Sequence, residues 1–456
     1  MKDLKSIEIK NISANGNKIT AELACSAGIQ KYIINNKFFA EYDTDIESID
    51  ESILCIPILS TVITLAWATG SDIYLDSIDS NYLKSLEAIK LNYKAKFNSF
   101  QSSTKFHINK VHESKYSTGK DALLFSAGID SLYSYSIKKS LELDLITIWG
   151  SDIPLNKHEY WNTYKERITQ FSENEGKKAH FIKSNMRHIV DDSILKREHT
   201  IRSWWGLVSH GLMLLGQCAP LTAYNHIGNL FISSSGKDIT GAVSILADDG
   251  GSWGATKCSV VGLDKSRQEK IKQIVKTPSY LKYIKVCWES RTHYNCGKCE
   301  KCSRTLLGLM TEDVDISLCD FSVDENMQDT IKKFIINKDK YLSRNERLFW
   351  EDIQKNIPAN LEKISPQNRE ILAWYKNCDL PNLFSEKIEY ALIKRENDII
   401  KLTSQLDELS SQNIDSGTQA SKNRDKIKGA LTKIILFKEE LKNIRNSPAR
   451  KDKDDL

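Results

Sequence analysis

Proline is scarce, 8 residues in 456, and nowhere do ~20 apolar residues run together as a membrane-spanning helix requires. The longest apolar run, Ser52 to Trp67 (SILCIPILSTVITLAW), is too short for a span and is interrupted by Pro57. It reads as a buried core segment. The opening stretch MKDLKSIEIK is charged and lacks the apolar centre of a secretory signal. A surplus of one charge is also missing: 64 basic residues face 60 acidic ones, net +4. Such a balance gives no blanket argument for nucleic acid or a membrane surface. Repeats of solenoid period are absent, as is any Gly-x4-Gly-Lys-Ser/Thr loop. These absences leave a globular, cytoplasmic protein with room for about three domains.

Cysteine is present, at ten residues, and four of these crowd between Cys287 and Cys302. In a reducing compartment that crowding favours a metal over disulfides. Cys296-Gly-Lys-Cys299-Glu-Lys-Cys302 is a double CxxC sharing its middle cysteine, and Cys287 ends the apolar stretch YLKYIKVCW, expected to be a strand. Four thiolates at this spacing can close tetrahedrally on zinc, with no open position and hence a structural role. An iron–sulfur cluster and unligated core cysteines are the alternatives. Gly297 allows the turn, and Lys298 and Lys301 offset the thiolate charge. The other six cysteines read as core.

Residues 1–115 read as an α+β domain. IEIKNI and KITAELAC form a hairpin around SANGN, KYIINN and KFFAEY suggest further strands, and NYLKSLEAIKLNYKAKF looks helical. From residue 116 to about 325 strands alternate with helices: DALLF, LDLITIWG, KKAHFIKS and NLFISSS are the strands, with helices at 132–143, 158–174 and 203–217. This alternation predicts an α/β parallel sheet, with ligands beyond the strand ends after Phe125, Trp149 and Ser184. GGSWG at Gly250–Gly254 reads as a flexible loop. Residues 326–383 read as helical. Residues 384–456 carry two heptad series, Ile388, Leu392, Ile399, Leu402, Leu406, Leu409 and Ile427, Ala430, Ile434, Phe437, Leu441, Ile444, joined by a polar linker. They predict a helical hairpin or an intermolecular coiled coil such as a homodimer, followed by a disordered tail.

The most informative stretch is DALLFSAGIDS. A strand ends in Ser126-Ala127-Gly128-Ile129-Asp130-Ser131 and a helix begins at once. Small residues let backbone N–H groups approach an oxyanion, and the helix start adds partial positive charge. Ser126 and Ser131 can donate to phosphate oxygens, while Asp130 would repel phosphate unless it holds Mg²⁺ or caps the helix. An ordinary capped strand–turn–helix is the plain alternative.

This loop resembles the PP-loop, Ser-Gly-Gly-x-Asp-Ser, of the ATP pyrophosphatase superfamily, with Ala127 in place of a glycine. A methyl there costs nothing at negative φ and about 1 kcal/mol or more at positive φ. Together with CGKCEKCSR and Arg304, the loop looks like the 7-cyano-7-deazaguanine synthase (QueC) family over residues 116–315; Thr200-Ile201-Arg202-Ser203 is similar to a Pro-x-Arg-Asn segment there. The resemblance implies a PP-loop (adenine nucleotide α-hydrolase-like, HUP) domain and a C–N ligase that uses ATP and Mg²⁺ and releases AMP and pyrophosphate. ATP would bind at Ser126, Ala127, Gly128, Ile129, Asp130 and Ser131, with Asp130 and Ser131 serving catalysis. The acceptor would be a 7-deazaguanine carboxylate or, as in extended relatives of Qat and type IV CBASS antiphage systems, a partner protein. Arg202 and Asp248 are candidate substrate contacts, each against a plainer surface reading, and His199 and His210 are candidate proton carriers. A tRNA-thiolating enzyme and a non-catalytic binding protein with a decayed nucleotide site are the rival functions.

Overall fold

The computed structural model describes residues 5–101, 103–246, 251–289, 292–411 and 438. The chain forms two compact units, Met1–Ser322 and Val323–Leu456. The first is built on one eleven-stranded sheet: β1 (Ser6–Asn15), β2 (Lys18–Cys25), β3 (Lys37–Glu41), β4 (Asp72–Asp79), β5 (Phe106–His112), β6 (Lys120–Leu124), β7 (Leu143–Trp149), β8 (Ala179–Ser184), β9 (Ile227–Ser233), β10 (Ser252–Trp253) and β11 (Thr256–Val261), in spatial order β10-β11-β9-β6-β7-β8-β3-β2-β1-β4-β5. β11, β9, β6, β7 and β8 run parallel. Successive crossovers carry the chain from β6 to β7 to β8, and then back to β9 on the far side of β6. The strand order therefore reverses between β6 and β9, where a crevice opens beyond the strand ends.

Helices of this unit include α1 (Ile56–Thr69), α2 (Ser80–Lys96), α3 (Ile129–Lys138), α4 (His158–Asn174), α5 (His210–Gln217), α6 (Arg267–Ile274) and α7 (Glu300–Thr311). The expected α/β class, hairpin and central strands are present, and α4 spans the expected residues. All fourteen residues of α1 are buried: apolar side chains surround four hydroxyl residues, of which Ser60, Thr61 and Thr69 donate back to carbonyls of the same helix. Pro57 does not interrupt it: it sits in the first turn, where no N–H is needed.

The boundary expected at residue 115 lies inside one unit. β3 pairs with β8 through Ala40–Ser184 and Glu41–Lys183, and α1 packs on α5. At that contact a Cβ on Gly216 would stand 2.2 Å from Ser60 Oγ, so only glycine admits the close approach.

Three local expectations are corrected. KYIINN supplies one isolated bridge, Ile33–Val190, because Ala27–Gln30 turns helically just before it. YLKYIKVCW is not a strand; Pro278–Tyr283 is a 3₁₀ turn, begun by the fixed φ of Pro278, and an irregular run leads to Cys287. In GGSWG, Ser252–Trp253 is strand β10 rather than loop, held by the fully packed Trp253 ring. β4, β5 and β11 were not foreseen.

The second unit contains α8 (Met327–Ile336), α9 (Arg344–Lys355), α10 (Pro366–Lys376) and α11 (Leu380–Ser411). Ser343 and Glu346 form a reciprocal cap on α9. Ile388 and Leu392 are buried with Ala391 and Ile399 against them, on the first heptad series. The second series, Ile427 to Ile444, lies outside the described residues. Among the described residues no helix is long and apolar enough to cross a membrane.

Candidate functional site: a cavity beside a four-cysteine cluster

β6 delivers its last residues to the reversal point, and the loop Ser126–Gly128 leads into α3. The loop is tightly held. Ser126 N donates to Ser131 Oγ at 3.2 Å, Ser131 Oγ donates to the Gly128 carbonyl at 3.2 Å, and Tyr164 OH donates to the Ser126 carbonyl at 2.9 Å. The Lys285 amide donates to the Ala127 carbonyl at 2.8 Å. Ala127 is buried and has φ +51°. The methyl therefore sits where glycine is favoured, the costly branch of the sequence expectation.

A cavity of about 370 Å³ opens on this loop. Ser126, Gly128, Ile129, Asp130 and Ser131 line it, while Ala127 lies behind it. Ser233, Ser234 and Ser235, at the end of β9, also line it, as do Ser151 and Asp152 after β7. Tyr160, Trp205, His210 and Trp288 add aromatic surface. The expected contribution from the loop after Ser184 is absent among the described lining residues, because β8 stands two strands from the reversal.

Cations converge on the same space. Arg267 Nη1 lies 2.7 Å from Asp130 Oδ2, and Lys270 Nζ lies 3.2 Å from Asp130 Oδ1 and donates to the Ser234 carbonyl at 2.6 Å. Lys270 thus ties together the two loops flanking the reversal. Burial raises the Asp130 pKa, but Arg267 and Lys270 outweigh it and hold the carboxyl below its usual range. Two cations on one carboxylate leave the group net positive. Lys285 and Lys301 line the wall beyond. Burial, reinforced by nearby Arg267, pulls Lys301 down to about 8. Burial also lowers His210, which favours its neutral imidazole.

Beside this wall Cys287, Cys296, Cys299 and Cys302 place their Sγ atoms within 4.8 Å of one another. Cys296–Cys302 and Cys287–Cys299 are each 3.9 Å apart. A tetrahedral ion with bonds of about 2.3 Å requires S···S separations of about 3.8 Å. The cluster fits zinc on that count. Gly297 has φ +68°, which lets the knuckle turn so that Cys299 N donates to Cys296 Sγ at 3.3 Å. Cys302 N donates to Cys299 Sγ at 3.5 Å. Hydrogen bonding to the neighbouring thiols, then burial, pushes the Cys302 pKa far up. Thiolates crowded this closely are stable only around a cation. Fully buried Asn295 joins the two arms: its Oδ1 accepts from the Val286 and Cys287 amides, and its Nδ2 donates to the Ile284 and Asp320 carbonyls.

The structure gathers the loop residues and all four cysteines, but not Arg202, which is exposed and does not line the cavity. Asp248 lies outside the described residues. His210 lines the cavity; His199 lines a separate opening with Lys5 and Glu198. Sequence reasoning missed Arg267, Lys270, Lys285, Asn295 and the serines after β9. Two signals were readable. Ser266 and Glu269 form a capping box that marks the start of α6, and three serines follow the apolar NLFI. No family model matches the chain, and no curated protein or solved structure matches it.

Proposed function

We propose that the chain is an ATP-dependent C–N ligase of the PP-loop kind, similar to 7-cyano-7-deazaguanine synthases, acting on a carboxylate such as a 7-deazaguanine acid. The single observation that carries this reading is the cavity at the β6/β9 reversal. A small-residue loop and a helix start meet three cationic side chains there, Arg267, Lys285 and Lys301. A triphosphate matches that chemistry: backbone N–H groups and serine hydroxyls receive oxygens, and fixed cations balance charge.

The substrate carboxylate would attack the α-phosphorus. The bond to the β-phosphate oxygen breaks, pyrophosphate leaves, and an acyl adenylate forms. A nitrogen nucleophile, ammonia or a protein amine, would then attack the acyl carbon and release AMP. The protein contributes positioning and charge stabilisation rather than a covalent nucleophile. Asp130 gives both oxygens to Arg267 and Lys270, so in this reading it positions those cations. Mg²⁺ would arrive already bound to the nucleotide and supply charge neutralisation of the leaving pyrophosphate. The four-cysteine cluster would hold zinc in a structural role.

Ala127 holds a left-handed backbone that glycine would adopt freely, and its methyl lies outside the cavity lining, which supports a working loop over a decayed one. The test is product analysis with ATP, Mg²⁺ and 7-carboxy-7-deazaguanine, with and without ammonia. AMP and pyrophosphate are expected. ADP as the main product would overturn the mechanism, and AMP formed only with an added protein would move the acceptor to that protein. A role in antiphage defence would be consistent with the second outcome.

A further inference from the structure

The four-cysteine cluster does not stand apart from the cavity. Lys301 lies between the ligand candidates Cys299 and Cys302, in the first turn of α7, and its side chain lines the cavity wall. Trp288, one residue beyond Cys287, also lines it, and Lys301 Nζ sits 4.1 Å from the centre of the Trp288 ring. Lys285, two residues before Cys287, contributes both its side chain to the wall and its amide to the strained Ala127 carbonyl. One arm of the cluster therefore braces the loop, and the other carries a lysine facing it.

Two devices hold this arrangement, and they do different jobs. Asn295 binds four backbone groups and ties the run Ile284–Cys287 to Asp320 without any metal. The start of α7 is tied to that segment through the sulfur atoms, with Cys299 and Cys302 facing Cys287 and Cys296. A metal in the cluster would fix where α7 begins and hence where Lys301 points. A lysine in the same motif, Lys298, is exposed and does not line the cavity.

We propose that the four-cysteine element is a working part of the anion site: its metal sets Lys301 against the phosphates of a bound nucleotide, so that losing the metal disables binding. This rests on the ATP reading above and deepens it, since it assigns a phosphate contact to a residue outside the Ser126–Ser131 loop. It also makes nucleotide binding sensitive to whatever removes the metal, including oxidation of the thiols.

The experiment measures binding of α,β-methylene-ATP and of inorganic pyrophosphate to the full chain by calorimetry, with zinc content and circular dichroism recorded on each sample. A charge-assisted contact of this kind is worth about a factor of ten or more in affinity. Lys301→Met should lose that factor while keeping its zinc, and Lys298→Met, which removes the same charge from the same knuckle, should bind as the wild type does. Chelator-treated wild type should lose at least as much, and chelation should add little to the loss already present in Lys301→Met. Wild-type affinity in zinc-replete Lys301→Met would overturn the inference and leave the ATP reading intact. Binding of neither probe by the wild type would overturn both. If chelation unfolds the chain, the comparison of the two zinc-replete lysine variants still decides.

Discussion

Ala127 shows how magnitudes decide a residue's effect. Holding an alanine at positive φ costs about 1–2 kcal/mol. Replacing it with glycine relieves that strain but gives up a buried methyl worth ~0.8 kcal/mol and adds about 0.5–1 kcal/mol of unfolded-chain entropy. These nearly cancel, so Ala127→Gly should move stability by less than about 1 kcal/mol. Ala127→Val adds β-branching at the same left-handed position and should cost about 2 kcal/mol or more. Urea unfolding midpoints of the two variants check this, and equal midpoints would remove the claim of strain.

His180 belongs to the same scale. It is buried between Asp43, 3.2 Å from Nδ1, and Asp144, 3.3 Å from Nε2. Burial lowers its pKa, yet the hydrogen bonds to Asp144 and Asp43 prevail and raise it above 6.5. A raised folded value means the protonated ring stabilises the fold at pH values below the unfolded pKa. That contribution is lost as pH rises through the folded value. Stability should therefore fall as pH climbs above about 6.5, and His180→Asn should flatten this slope. An unchanged slope in the variant would assign the pH dependence elsewhere.

At the scale of elements, the cysteine cluster brings together a turn after a 3₁₀ segment, a knuckle and the start of a helix. The 3₁₀ segment and the helix each pack into the core on their own, through Tyr280, Leu281 and Ile284 and through Leu306, Leu307 and Leu309, and the sulfur atoms join their ends. The expected outcome is one zinc per chain by elemental analysis of protein purified without chelator, and an iron–sulfur chromophore would instead favour the thiolation-type alternative. Cys299→Ser should lose the metal and destabilise the first unit. A structural site of this kind contributes on the order of 10 kcal/mol to its local fold. The lower end of the pH scale bears on α3 and α6. Asp130 is held below the usual carboxylate range, so the stability it adds is present above that range and lost as pH falls through its folded value.

At the scale of the whole molecule, the sheet is the unit of folding. A chain starting at residue 116 would leave β8 without β3 and α5 without α1, exposing an edge strand and an apolar helix face. It should aggregate, whereas a chain ending at Ser322 retains the whole sheet and should unfold cooperatively. Size-exclusion chromatography and thermal melts of the two fragments test this. A soluble, cooperatively folded 116–322 fragment would restore the boundary expected at residue 115.

Much of the candidate site was legible because its chemistry is local. The loop Ser126–Ser131 and the knuckle Cys296–Cys302 are short runs whose spacing reflects backbone turns, and a turn's requirements are written in neighbouring residues. The hidden half is made of residues whose partners are far along the chain. Lys270 reaches Asp130 across 140 positions and Arg267 reaches it across 137, and neither differs in sequence from a solvated helix lysine or arginine. Arg202 is exposed and does not line the cavity, and a charged residue near a helix start says nothing about which way that helix faces. Local patterning was enough for the alternation of strands and helices, the largely apolar α1 and the cysteine knuckle, since each depends on periodicity or turn chemistry over a few residues. The packed chain alone reveals that β3 and β8 join two expected domains into one sheet, that the order reverses between β6 and β9, and that Lys301 lines the cavity. Those outcomes depend on long-range pairing and on the direction a side chain takes once its element is packed.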